Sequence, residues 1–547
     1  MPALVLGPLL RHVDSTSATV WVETDSTCTV EVLGCSARTF HVAGHHYAIV
    51  VVTGLQPDTA VPYEVHLHGP DGPAVRVWPE ERSTYPPSRI RTLGGERVFQ
   101  VVFGSCRWAR PATGSPQRQL PPDALDTFAT RMAGQPEDSW PDALLLLGDQ
   151  VYADETSPHT QTYLRERRDV QRPPYLEVAD FEEYTHLYLE SWTDPDARWL
   201  MSTIPTSMIF DDHDVRDDWN TSRAWRRTMA ATTWWQSRIE GALMSYWIYQ
   251  HLGNLAPDDL AGLELLSTML AAEDGESALR EFAREADKEV DGAKSTRWSY
   301  RRDFGRIRLL MIDSRCGRIL DGEHRSMISD HEFEWLEQQA VGEIDHLLIG
   351  SSLPWLMGRA LHDAEAWNEH LCTAYDGRLV GRLSERFRQV ADMEHWAAFY
   401  QSFRRLGWMF ASVGSGPQAP ATICVLSGDV HHAYVARAKY PQPLSSRVYQ
   451  LTCSPVHNEV PGYMKVGFRV GWSRAARAVT DRWARLFHVP PPPLDWEKVC
   501  GPYFGNALAT LSMQGRSAAL AVELTRENGD GTARMEQAVE VVLHASG

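Results

Sequence analysis

Over residues 1 to about 92, short runs alternate apolar and polar positions: "SATVWVET" (17–24), "CTVEVLG" (28–34), "HYAIVVVTGL" (46–55) and "VPYEVHLHG" (61–69). Gly, Pro, Asp and Ser separate them and no helical period intervenes, so the pattern predicts a small antiparallel β-sandwich. The stretch "YPPSRIRTLGGER" (85–97) reads as a linker. Beyond it the texture changes to near-continuous apolar runs divided by helical stretches: "VFQVVFGSC" (98–106), "DALLLLGDQ" (142–150), "PTSMIFDDHD" (205–214), "RIRLLMIDSR" (306–315), "IDHLLIGSS" (344–352), "ATICVLSGDVHH" (421–432) and "SRVYQLTCSP" (446–455). Strands that are apolar throughout and polar only at their carboxyl ends belong to sheets covered on both faces. The chain is thus divided into a β-sandwich domain (1–92) and a layered α/β domain (93–547). Helical insertions at 222–250 and 256–290 are expected to overhang the active face. A late helix (471–488) turns its arginines to solvent or to a partner, "VPPPPL" (489–494) reads as a stiff spacer, and strands at 507–513 and 517–525 close the chain.

A length of 547 residues fits two domains, one of them large. With 71 acidic against 53 basic residues the formal charge is -18, which disfavours a general affinity for nucleic acid or anionic membrane but leaves room for local basic patches. The expected partner is a small anionic substrate drawn by a metal or a few arginines. Oligomeric state is not legible. The run "ALLLL" (143–147) is far short of the ~20 residues of a spanning helix. The start "MPALVLGPLL" has neither a signal peptide pattern nor a twin-arginine pair, so a cytoplasmic setting is expected. Eight cysteines without a CxxC pair point to neither a zinc ribbon nor a disulfide framework.

The chemistry is concentrated at four strand ends, "GSCR" (104–107), "GDQVY" (148–152), "DDHD" (211–214) and "GDVHH" (428–432). Ligands of open α/β sheets collect at the carboxyl ends of the strands. One aspartate there is an ordinary turn residue; four such ends together resemble an unassembled metal site. Mixed Asp and His ligands around two cations suit phosphate ester hydrolysis, because the pair clamps attacking and leaving oxygens and yields hydroxide near neutral pH. Cysteine and tyrosine bind as anions and favour ferric iron. The expected cofactors are Fe3+ at one position and Ca2+, or another divalent ion such as Mg2+ or Mn2+, at the other. Cys106 also suits a small buried hydrophobe and Tyr152 a packing aromatic.

The order "FGSCR", "LLGDQVYAD", "FDDHDVRDDW", "LSGDVHHAY" behind a small β-sandwich resembles the alkaline phosphatase D (PhoD-like) branch of the calcineurin-like metallophosphoesterases. The resemblance implies a four-layer α/β/β/α sandwich behind an immunoglobulin-like domain, active on phosphomonoesters and phosphodiesters. By motif it implies that Asp149 bridges two metals, that Cys106, Tyr152 and His431 complete the iron site, and that Asp212 and Asp429 hold the second metal. It makes His213 the general acid. Arg107 is a candidate for the substrate phosphate, equally suited to a salt bridge. Asp211 and Asp214 are expected to orient His213 or a turn, His432 to point away from His431, and Asp218 and Asn220 to lie near the second metal. Two departures stand out. Where the wider superfamily has a histidine ligand between its third and last motifs, "IGSSLPW" (349–355) offers serines, and the export signal of many relatives is missing. Tyr503, Phe504, Asn506 and "TWWQ" (233–236) suit core or a wall for the leaving group, whereas "EHWAAFYQSF" (394–403) reads as packing. Competing readings are a phosphodiesterase of phospholipase D or nucleotide type, a non-haem iron redox enzyme, and a binding protein without catalysis.

Overall fold

A computed structural model describes residues 1–70, 72–109, 120–291, 296–320, 325–375 and 377–545. The N-terminal region builds two four-stranded antiparallel sheets. One orders Leu4–Val13, Ala18–Thr24, His45–Val52 and Phe40–Val42; the other orders Cys35–Arg38, Thr29–Val32, Val65–His68 and Val75–Trp78. A separate pair joins Ala60–Pro62 to Arg89–Arg91. Strand alternation decides what each face covers. Val20, Val22, Ala48 and Val50 point between the two sheets, against Val30, Val65 and Leu67. Trp21, Tyr47 and Ile49 point the other way and join the core of the second region, which is why Ala18–Thr24 is buried at every position. Trp21 meets Trp192 edge-on at 6.4 Å and Tyr249 at 5.4 Å.

The second region stacks two mixed sheets. The first runs in the order Thr206–Ile209, Ala143–Leu147, Phe99–Gly104, Ala507–Gln514, Ser517–Glu527, Ala533–His544. The second runs Tyr300–Phe304, Ile307–Ile312, His346–Ser351, Thr422–Ser427, Arg447–Thr452, Ala433–Lys439, Asp495–Tyr503. In the first sheet Thr206–Ile209, Ala143–Leu147 and Phe99–Gly104 are parallel and the remaining strands pair antiparallel; in the second the inner strands are parallel and the outer ones pair antiparallel. In Ile307–Ile312, Leu309 and Met311 face the first sheet, while Leu310 and Ile312 face helices such as Asp330–Gln339 and Tyr400–Ser415. Helices including Ala124–Ala133 and Pro195–Thr203 cover the far side of the first sheet. The layers are therefore helix, sheet, sheet, helix. The final strand Ala533–His544 lies beyond the two closing strands that the pattern predicts: it is half-exposed and rich in charge, so its alternation is weak.

Two expectations need correction. The acidic insertion does not overhang the strand ends: Gly275 donates to the His41 carbonyl at 2.8 Å and Leu266 and Met269 are buried in the common core, so it clamps the N-terminal sheet. The proline run is packed rather than a free spacer, since Tyr400 donates to the Pro490 carbonyl at 2.6 Å.

Candidate metal centre

The parallel strands of both sheets end at one place. Cys106, Asp149 and the pair Asp211–Asp212 follow three adjacent strands of the first sheet; Asp429 and His431 follow Thr422–Ser427 in the second. The two sheets are pinned together there: the Ser105 hydroxyl accepts the Asp429 amide at 3.0 Å, and the Ser454 hydroxyl donates to the Cys106 sulfur at 3.2 Å. Ligand atoms of Cys106, Asp149 and His431 lie within 4.8 Å of one another, as do those of Asp149, Asp212 and His213 and those of Asp211, Asp212 and Asp429. Tyr152 joins the first group, its hydroxyl 3.5 Å from an Asp149 oxygen.

This convergence is strained. Cys106, Asp149, Asp429 and His431 all have positive φ, between 48° and 66°, a region that costs a non-glycine residue about 1–3 kcal/mol. Surrounding hydrogen bonds hold them in it. Asp214 accepts the amides of Asp149 at 3.0 Å and Asp211 at 2.9 Å, tying two loops to one carboxylate. Gly148, at φ 112°, leaves room for Asp211: a Cβ there would sit 2.6 Å from that of Asp211.

Burial pushes the carboxyl of Asp149 well above the usual carboxylate range, with Asp211, Asp214 and Asp429 adding to the effect. The same burial raises Asp212, the Cys106 thiol and the Tyr152 phenol. Groups of this kind keep their protons until a cation displaces them. Asp149 Oδ1 and Asp211 Oδ2 are buried and accept no hydrogen bond, a costly arrangement for carboxylate oxygens in a protein alone. The donor set accordingly fits cations.

His213 is a separate device. Its ring stacks on Tyr152 at 4.7 Å, and Nδ1 is 2.9 Å from Asp154. Burial opposes a charged imidazole, yet Asp154, with Asp149 and Asp212 adding to it, holds His213 well above the usual histidine range. Asp154 itself is pulled down to about 2 against its burial by His213. The orienting carboxylate is therefore Asp154; Asp211 and Asp214 serve the strand-end loops. His432 turns away from the cluster to pack, tilted by 34°, on Phe468 at 4.3 Å.

Arg107 is not brought to the cluster. It spends its donors on Asp123 (2.8 Å), Asp126 (3.1 Å) and the Ser191 carbonyl (2.8 Å), bracing the start of helix Ala124–Ala133. The arginine that enters the site is Arg315. Fully buried, it pairs with Asp211 and Glu394, and its Nη2 lies 3.1 Å from Asp212 and 3.7 Å from Asp429. Arg318 adds a contact to Glu394 at 3.4 Å. Four carboxylates thus face two guanidiniums.

A histidine does reach the site from between the third and last motifs, but not from "IGSSLPW". His395 places Nε2 3.1 Å from Asp429 and Nδ1 2.9 Å from Glu365. Ser352 of the serine stretch donates to Asp211 at 3.0 Å. The available signal was "DMEH" (392–395), three ionisable groups in four residues ahead of an aromatic run. Asp218, Asp392 and Glu394 form a fourth acidic group beside the cluster. Asn506 is neither wall nor apolar core: its side-chain Oδ1 accepts the Asn458 backbone amide at 3.1 Å, and the Asn458 side chain donates to the Tyr152 hydroxyl at 3.0 Å.

Residues 126–496 match the family model of the PhoD-like phosphatases, and residues 1–90 match a domain of unknown function, DUF7800. Cys106 precedes the matched phosphatase span. No curated protein sequence matches the chain. Among solved structures, PhoD superposes with a TM-score of 0.58 at 11% identity, covering 98% of this chain and 89% of that one. The purple acid phosphatase PPD1 of yellow lupin (Lupinus luteus) seeds gives 0.51 at 12% identity, covering 98% and 74%. With a family match over most of the α/β region and a carboxylate, thiol and imidazole cluster at its strand ends, the chain belongs to the PhoD-like phosphatase family and is a metal-dependent phosphoesterase.

Proposed function

We propose that the cluster is a dinuclear centre that hydrolyses small phosphate esters by in-line attack. The observation that carries the reading is the convergence of buried carboxylates, in which Asp149 Oδ1 and Asp211 Oδ2 accept no hydrogen bond and Asp212 lies beside them. Cys106, Asp149, Tyr152 and His431 would hold Fe3+, with Asp149 shared. Asp212 and Asp429 would hold Ca2+, Mg2+ or Mn2+, and Asp211 and His395 are close enough to contribute. When bound, the metals supply hydroxide near neutral pH and neutralise the phosphoryl oxygens.

The chain does the rest. His213, protonated through Asp154, donates from Nε2 to the leaving oxygen. Tyr152 stacks beneath that ring and fixes its plane. Arg315 holds Asp211 and Asp212 apart and in place, so that they do not repel one another out of position. Asn458 orients the Tyr152 oxygen.

Paired assays with p-nitrophenyl phosphate and bis-p-nitrophenyl phosphate test the function and separate mono- from diesterase. Asp149→Asn should abolish hydrolysis of whichever ester the native protein cleaves; full activity in that variant would remove the reading. Protein that is active but carries no iron, and shows no charge-transfer colour, would remove the Fe3+ assignment alone.

A further inference from the structure

The net charge of -18 hides one region of opposite character. Helices Gly462–Gly471 and Arg474–Leu486 together carry six basic residues and one acidic residue, Asp481. On the second helix Val479, Trp483 and Leu486 stand at i, i+4 and i+7 and are 55%, 53% and 70% exposed. On the first, Tyr463, Val466 and Val470 form a similar exposed stripe at i, i+3 and i+7. The other face of the second helix is already committed: Arg477 pairs with Asp495 at 3.0 Å, and Thr480 donates to Asp363 at 3.1 Å. Trp483 meets Trp367 edge-on at 6.0 Å on one side, and the rest of the outward stripe, with the exposed Arg474, Arg482 and Arg485, faces water.

We propose that these two helices are a docking surface for an anionic phospholipid bilayer, on which they lie with their apolar stripes at the headgroup boundary and their arginines among lipid phosphates. Helices that present an aromatic and aliphatic stripe beside arginines have the make-up of interfacial binders. Other occupants fit less well. A second copy would bring the same arginine-rich helices against each other about a twofold axis. Nucleic acid would meet the arginines but leave Tyr463, Val479 and Leu486 in water. The position also matters, because Phe468 of the first helix packs on His432 at 4.3 Å, next to His431 of the metal cluster. The surface therefore borders the strand ends that carry the chemistry, and its proposal does not rest on which metals are held there.

The test is sedimentation of the full chain with vesicles of phosphatidylglycerol and phosphatidylcholine, and with vesicles of phosphatidylcholine alone, at low and high salt. The native protein is expected to sediment with the anionic vesicles, to be released by salt, and to ignore the neutral ones. The double variant Trp483→Glu/Leu486→Glu is expected to lose at least tenfold in partitioning while its hydrolysis of p-nitrophenyl phosphate stays unchanged. No binding of native protein to anionic vesicles, or equal binding by the variant, overturns the proposal. So does a native dimer in solution that the double variant converts to monomer, which would assign the face to a second copy.

Discussion

His213 and Asp154 show how one pair of residues sets a pH dependence. Asp154 stabilises the protonated imidazole, so its removal lowers the His213 pKa and the general acid loses its proton earlier as pH rises. For Asp154→Asn the alkaline limb of kcat/KM is expected to move to lower pH, towards the ordinary histidine value; an unmoved limb would take Asp154 out of the mechanism. His213→Ala should lower kcat about 10²–10⁴-fold on an alkyl phosphate, the span of general acid catalysis. It should cost far less on p-nitrophenyl phosphate, whose leaving group needs no proton, and equal losses on both substrates would assign His213 another role. The pair was half legible in the sequence. His213 sits at a strand end in "DDHD", where position alone implies a role, whereas Asp154 is an acid in a loop whose direction only the fold sets. Arg107 shows the converse: an arginine beside the motif suggested phosphate binding, but Asp123 and Asp126, which claim it, lie sixteen and nineteen residues on.

Among the elements, the apolar strands were the most legible part of the chain, because burial on both faces leaves a continuous apolar run that ends abruptly in polar residues. That ending marked Cys106, Asp149, Asp212, Asp429 and His431 at once. His395, Glu394 and Arg315 come from outside the four motifs: "DMEH" shows a cluster of ionisable groups and Arg315 follows an apolar strand, but neither pattern says which site the side chains face. Gly148 carries a test at this scale. With φ at 112° and the Asp211 side chain where a Cβ would go, Gly148→Ala should destabilise the protein by roughly 1–3 kcal/mol. It should also impair activity by displacing Asp211. Thermal unfolding within a degree of the native protein would contradict the packing described.

In the whole molecule, the N-terminal sandwich is mounted on the phosphatase region by a shared core rather than tethered to it. Trp21 is fully buried against Trp192 and Tyr249, so Trp21→Ala should cost about 3–5 kcal/mol and lower a single unfolding transition. Two independent transitions in the native chain would argue against that mounting. The net charge, by contrast, described the molecule poorly, because it averages an acidic surface with the basic helices at 462–486. The central claim is that Asp149 joins two metals at the meeting point of both sheets. Elemental analysis of the native protein and of Asp149→Asn, both purified without chelator, tests it most directly. Two metal equivalents per chain, one of them iron, and the loss of both in the variant are predicted. A variant that keeps both metals, or a native protein that hydrolyses phosphate esters while holding none, would contradict it.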